Sequence, residues 1–274
     1  MRRATVSEEY GFMSTAGMTA LGFVLVFIGT AAGAAVVFVF KKDISPKFNT
    51  LFLGFAAGIM IAASVWSLII PSLEGAESYG AISWLPAAVG IVAGGIFLTL
   101  LDKVVPHMHI ATNEVEGMHS NAAMSTKMFL AVTIHNIPEG LAAGVVFGAA
   151  AATGSEEAYY AALVLAIGMA VQNFPEGAAV ALPLRAATGS RVKAFLFGAA
   201  SGIVEPIFAI FGYFLTSYVE ALQPWLLAFA AGAMLFVVAE DLIPEAKLAE
   251  HPHLGTWGVV SGFVLMMILD VALG

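Results

Sequence analysis

The chain contains no cysteine in 274 residues. Disulfides, thiolate metal sites and thiol nucleophiles are excluded at once, so any metal chemistry must rest on His, carboxylate, amide or Met. Charge is almost as scarce. Asp, Glu, Lys and Arg make up 11% of the residues against 60% hydrophobic ones, and the mean hydropathy is +0.92, far from the balance of a soluble domain. Polar stripes are missing too: a helix on the surface of a soluble core needs one, and runs such as LGFVLVFIGTAAGAAVVFVF (residues 21–40) have none. H-E-x-x-H, Gly-x-Gly-Asp and Gly-x-Ser-Gly do not occur, nor does an ATP- or nucleic-acid-binding motif. Intramembrane hydrolysis, ATP-driven work and nucleic-acid partners are left without a sequence basis.

What is present is an integral membrane protein. Eight apolar runs, roughly 17–40, 50–71, 84–104, 126–149, 158–184, 193–217, 223–243 and 255–273, are each long enough at ~1.5 Å per residue to cross a ~30 Å hydrocarbon core. An all-α fold of eight transmembrane helices in one domain over 1–274 is expected. The first run is too long for a signal peptide and lacks a convincing cleavage site, so it counts as a helix. The net charge of −8 says little, because orientation follows the placement of Lys and Arg. Alternate connectors hold Lys41, Lys42 and Lys47; Lys103 and Lys127; Arg185, Arg191 and Lys193; and Lys247, nine of the eleven basic residues. The other connectors hold only acids: Glu74 and Glu77, Glu156 and Glu157, Glu220. That asymmetry predicts both termini outside the cytoplasm, with Arg2 and Arg3 opposing it beside Glu8 and Glu9.

Two internal matches stand out. LGFAAGIM (Leu53 to Met60, second run) matches LAFAAGAM (Leu227 to Met234, seventh), and GIVAGGIFLTLLD (Gly90 to Asp102, third) matches GVVSGFVLMMILD (Gly258 to Asp270, eighth). Gly/Ala-rich helices resemble one another by composition, but the shared order and the shared terminal Asp argue against chance. Matched helices cross in opposite directions, so the expected plan is three helices, two, then three, with inverted repeats flanking a central pair. Transporters of that plan bind substrate near the midplane on interrupted helices.

The central pair carries a duplicated hexad, HNIPEG (His135 to Gly140) and QNFPEG (Gln172 to Gly177). Residues four apart share a helix face, so His135 points with Glu139 and Gln172 with Glu176, with Asn136 and Asn173 three before each glutamate. Pro138 and Pro175 cannot donate to the carbonyls of Ile134 and Val171. Gly140 and Gly177 allow a neighbouring helix to come close. An ionised carboxylate at membrane depth costs roughly 2.5–3.5 kcal/mol even on lenient scales, and no Lys or Arg lies in these helices to offset it. Protons or a bridging divalent cation must do so. The imidazole of His135 favours Zn²⁺, Fe²⁺ or Mn²⁺ over Mg²⁺ and Ca²⁺. Glu205, beside Pro206 in the sixth run, adds a further carboxylate, with Pro206 expected to release the carbonyl of Gly202. Met60 on the second run, and Glu240 and Asp241 on the seventh, are placed to complete or lead to the site.

HNIPEG, QNFPEG and the Val-Glu-Pro at Glu205 resemble the fourth, fifth and sixth helices of the ZIP (Zrt/Irt-like) metal transporters, in particular the bacterial GufA-like branch. The resemblance covers essentially everything after the first dozen residues. It implies a binuclear site: His135, Glu139, Gln172 and Glu176 with Met60 around one metal, and Asn136, Glu139, Asn173, Glu176 and Glu205 around the second. Some members have Asp at the position of Asn173, and many eukaryotic ones have His at that of Gln172, so this site is less anionic and poorer in imidazole. The connector at 105–125 resembles the family's variable cytoplasmic His-containing loop, with His107, His109 and His119 as candidate ligands and Asp102 able to hand ions to them. The implied function is secondary transport of a divalent transition metal, zinc first, with cadmium, iron or manganese as relatives of it, into the cytoplasm across a bacterial inner membrane. The metal is cargo and no catalytic cofactor is expected. The expected partners are metal ions, the bilayer and a second copy in a homodimer.

Plainer readings compete. Proline in a membrane helix is often only a kink, Gly90 with Gly94 and Gly258 with Gly262 suit helix packing, Met is abundant at twelve residues, and the loop histidines, like His251 and His253, suit solvated side chains. A duplicated hexad with a third Glu-Pro is harder to dismiss. An intramembrane metallohydrolase and a cation or proton channel are the alternative functions.

Overall fold

Residues 13–39, 45–108, 115–118, 124–246 and 252–273 are described by the computed structural model. Among them are eight helices long and apolar enough to cross a membrane: Thr15–Val39, Lys47–Glu74, Trp84–Val104, Phe129–Thr153, Glu156–Thr188, Arg191–Tyr218, Gln223–Leu242 and His253–Leu273, called here the first to eighth spans. The protein is an all-α, multi-pass membrane protein. His109, His119, His251, Lys41, Lys42, Lys247, Arg2, Arg3, Glu8 and Glu9 lie outside the described residues.

Local chemistry sets the span ends. The fifth span starts where the Ser155 hydroxyl accepts the Ala158 N–H and stops at Gly189, whose φ of 64° suits glycine and whose N–H reaches the Arg185 carbonyl. Capping thus carries this helix past both limits of the apolar run. The sixth span breaks between Ser201 and Val204. Pro206 has no N–H for the Gly202 carbonyl, but that oxygen is not left free as expected: it accepts the Glu205 N–H at 3.1 Å. The connector after the third span holds a two-residue antiparallel ladder, His107–Met108 against Val115–Glu116.

The spans pack in four close pairs: first with fifth, fourth with sixth, second with eighth, third with seventh. Glycines make this possible. A Cβ on Gly58 would strike the Val259 carbonyl, and one on Gly262 the Phe55 carbonyl, so the second and eighth spans meet backbone to backbone. Exchanging second with seventh, third with eighth, first with sixth and fourth with fifth maps the pairs onto one another. The second and seventh spans also share a defect. Each turns π-helical four residues beyond its matched Met, at Ser64–Ile69 after Met60 and at Val238–Leu242 after Met234, and such widened turns recur at functional sites.

Candidate metal site at the centre of the bundle

The hexads face each other across the fourth and fifth spans. Gln172 Nε2 donates to Glu139 Oε1 at 3.0 Å, with both side chains fully buried. Asn173, His135 and Glu176 also act on the Glu139 carboxylate, and Glu205 on the sixth span interacts with Glu139 and Asn173. Glu205 is fully buried and held from the first span, where Thr30 Oγ1 donates to its Oε1 at 2.6 Å. The asparagines grip neighbouring backbones: Asn136 Nδ2 donates to the Ser201 carbonyl at 3.0 Å, and Asn173 Nδ2 to the Val26 carbonyl at 3.3 Å.

Close helix approach makes the gathering possible. Gly140 lies against the backbone of Glu205 and Gly177 against the Thr30 carbonyl, so a Cβ at either position would collide with main chain. The sixth-span carboxylate is therefore carried in beside the hexad by the same contact that packs the helices.

Among the described residues, four buried oxygens of this cluster meet no hydrogen-bond partner: Glu139 Oε2, Gln172 Oε1, Asn173 Oδ1 and Glu205 Oε2. They come from three helices and all are acceptors. Buried acceptors are ordinarily satisfied, and these are satisfied either by protonation of a carboxyl group, which then donates, or by a cation. Oxygens alone suit hard ions, but the imidazole of His135 one turn before Glu139 widens the choice to transition metals.

His135 itself takes another partner. Its Nε2 lies 3.1 Å from Asp241 Oδ2 on the seventh span. Among the described residues no three His, Asp or Glu side chains form a ready-made ligand cluster; His135 meets Asp241, Glu139 meets Gln172 and Glu205 meets Thr30. Of the two seventh-span acids, Asp241 is buried and Glu240 exposed, and it is Asp241 that meets His135. Met60 is fully buried on the second span, where its carbonyl accepts the Ser64 hydroxyl at 2.7 Å. Asp102 and His107 form a separate pair at 3.6 Å, with the buried His107 ring fixed by its Nδ1 contact to the Val105 carbonyl at 2.8 Å.

One participant has no signal in the sequence: Thr30 is a single hydroxyl in an apolar run, with nothing local to mark it. Asp270, the repeat partner of Asp102, accepts from Ser67 at 2.7 Å and ties the eighth span to the second.

A family model described as "ZIP Zinc transporter" matches residues 106–270. Zinc transporter ZIP11 of Homo sapiens is 36% identical over 89% of this chain and 94% of its own length. The chain belongs to the ZIP zinc transporter family. Its ZIP relatives include bacterial proteins: zinc transporter GufA of Myxococcus xanthus is 38% identical over 90% of this chain and 96% of its own, and zinc transporter ZIPB of Bordetella bronchiseptica 39% over 94% and 82%. This ZIP chain is thus a divalent metal transporter and not an enzyme.

Proposed function

We propose that this chain carries zinc across a bacterial inner membrane into the cytoplasm, with cadmium, iron or manganese as competing cargo, through the centre built by the two hexads and Glu205. The observation that carries the reading is the set of four unpartnered acceptor oxygens, which a cation satisfies and an apolar core does not. His135, Glu139, Gln172 and Glu176 with Met60 form one half of a binuclear site. Asn136, Glu139, Asn173, Glu176 and Glu205 form the other, with Glu139 and Glu176 bridging. With His135 Nε2 on Asp241, the ring loads the first half through Nδ1, and Asp241 is the carboxylate that orients the liganding imidazole. Asp102 and the loop histidines His107, His109 and His119 receive the ion beyond.

The exchange of helix pairs and the matched π-helical turns support inverted repeats in a three, two, three arrangement, and the placement of Lys and Arg supports both termini outside the cytoplasm. Transport then proceeds by one group of pairs shifting against the other around the centre. The third and eighth spans are the least covered, and we assign the homodimer contact to them.

The test is purified protein in liposomes enclosing a metal-sensitive dye. Replacing both Glu139 and Glu176 with Ala should abolish Zn²⁺ flux while the protein remains folded by circular dichroism. Flux at the unsubstituted level would show that the ion takes another path.

A further inference from the structure

The first and second spans are consecutive in the chain yet do not form a pair; each packs elsewhere, against the fifth and the eighth. Between the two pairs runs a cavity of about 710 Å³, within the ~300–1,000 Å³ usual for small-molecule sites. Its lining side chains are apolar but for one. Ser261 is the exception, and its hydroxyl is already committed to the Gly258 carbonyl at 2.9 Å. No lining side chain is left to donate to a polar ligand. Every wall belongs to a membrane-spanning helix, and Ile28 and Ile167 on those walls are 49% and 45% exposed, so the groove opens to hydrocarbon and not to water.

Two features go beyond ordinary contact with the bilayer. The first is the wall on the fifth span, formed by Val171, Phe174 and Pro175. These are the back of QNFPEG: Gln172, Asn173 and Glu176 on the other face of the same turns are the buried groups of the metal centre. The second is the mouth. On the second span Leu51 and Phe55 line the groove, and Lys47, one turn before Leu51 at the i, i+4 spacing, is exposed. The ring of Phe48 packs on Phe52 with centroids 4.2 Å apart beside it. A cation at the helix end above an apolar slot matches a phospholipid, with phosphate at the head and hydrocarbon below.

We propose that this groove binds one acyl chain of an anionic glycerophospholipid from the leaflet on the Lys47 side, with the phosphate at Lys47, and that the chain braces the back of the fifth-span ligand turn. A filled groove holds the first and fifth spans at a fixed distance from the second and eighth. Emptying it, or filling it with protein, changes how readily the two pairs move past each other.

The experiment reconstitutes the full chain in liposomes of phosphatidylcholine containing phosphatidylglycerol that bears a mid-chain diazirine, followed by photolysis and peptide mass spectrometry. Adducts should concentrate on residues 51–55 and 167–175. The replacement Ala32→Trp fills the groove from the first span and Ser261→Trp from the eighth. Each should lower those adducts at least about fivefold, the smallest effect of a real coupling, without changing labelling of Ile210 and Phe214 on the exposed face of the sixth span. A diazirine diacylglycerol lacking the phosphate, or Lys47→Glu with the phospholipid, should label the groove several-fold less, about as a lost charge-assisted contact requires. Equal labelling of groove and sixth span, or adducts unmoved by both Trp variants, overturns the site. Lost labelling with unchanged Zn²⁺ flux overturns the bracing. The labelling arm does not depend on the transport reading, so either can fail alone.

Discussion

The two hexads occupy facing helices and agree at four of six positions; the first, His135 against Gln172, sets their chemistry, and the third sets Ile137 against Phe174. Asn136 and Asn173 each donate to a backbone carbonyl of the helix paired with their own, Ser201 on the sixth span and Val26 on the first. Gly140 and Gly177 each admit that same paired helix, at Glu205 and at Thr30. The first position differs. Gln172 turns inward to Glu139, while His135 pairs with Asp241 on the seventh span. The shared Asn and Gly assemble the helices; the unmatched first position couples the centre to a different part of the bundle.

The largest effect should come from a residue the comparison treats as shared. Glu139 is fully buried and interacts with both hexads and Glu205, so Glu139→Gln removes the charge on which the centre turns. Changes one step outside a metal site already cost about 10–100-fold, and this one should lower Zn²⁺ flux by about 100-fold or more. Glu176→Gln should follow closely. If Glu176→Gln is harmless, the two glutamates are not equivalent and the bridging arrangement fails.

Asp241 tests the difference directly. Asp241→Asn keeps the shape next to His135 and removes the charge 3.1 Å away. Flux should fall about 10–100-fold, as for partners that orient a liganding imidazole, with the maximal rate affected more than the half-saturating Zn²⁺ concentration. Glu240→Gln, on an exposed side chain next in sequence, serves as the control and should leave both unchanged.

These outcomes bear on how far a chain like this can be read before it is folded. Eight spans, the hexads and the Glu-Pro were legible because bilayer thickness and helix periodicity act on composition directly. The glycine pairs were legible as packing for the same reason, and Gly262 against Phe55 and Gly94 against Phe229 bear that out. The His135–Asp241 pair was not legible, because it joins residues on two spans that local spacing cannot relate. Nor was the π-helical turn that carries Asp241, since nothing in VAEDL marks a widened turn. The carbonyl of Gly202 was misjudged for a local reason: proline removes one donor, but the break in the sixth span lets Glu205 supply another one residue earlier.

Making the hexads alike should sharpen the comparison further. Gln172→His gives the fifth span the imidazole of the fourth and removes the amide that holds Glu139 Oε1. A softer nitrogen donor favours zinc over manganese. Competition in the liposome assay should shift toward Zn²⁺ by about tenfold, the equivalent of ~1.4 kcal/mol. An unchanged ratio would place Gln172 outside the ligand set and leave it as a support for Glu139.

The smallest effect concerns the first span, which meets the fifth-span hexad through its backbone at Val26 and Thr30 and meets Glu205 through the Thr30 hydroxyl. Thr30 Oγ1 satisfies Glu205 Oε1 at 2.6 Å and leaves Oε2 unpartnered toward the cluster. Thr30→Val preserves the shape and removes the donor, which costs about 1–3 kcal/mol when the partner stays buried. Weaker Zn²⁺ binding by a few-fold is expected, with the second of two bound ions, measured by metal content after gel filtration, lost first. Thr30→Ser restores the hydroxyl and should restore both. If Ser fails where Thr succeeds, the methyl group that packs against Gly202 is what matters at this position, and the hydroxyl only follows Glu205 instead of aiming it.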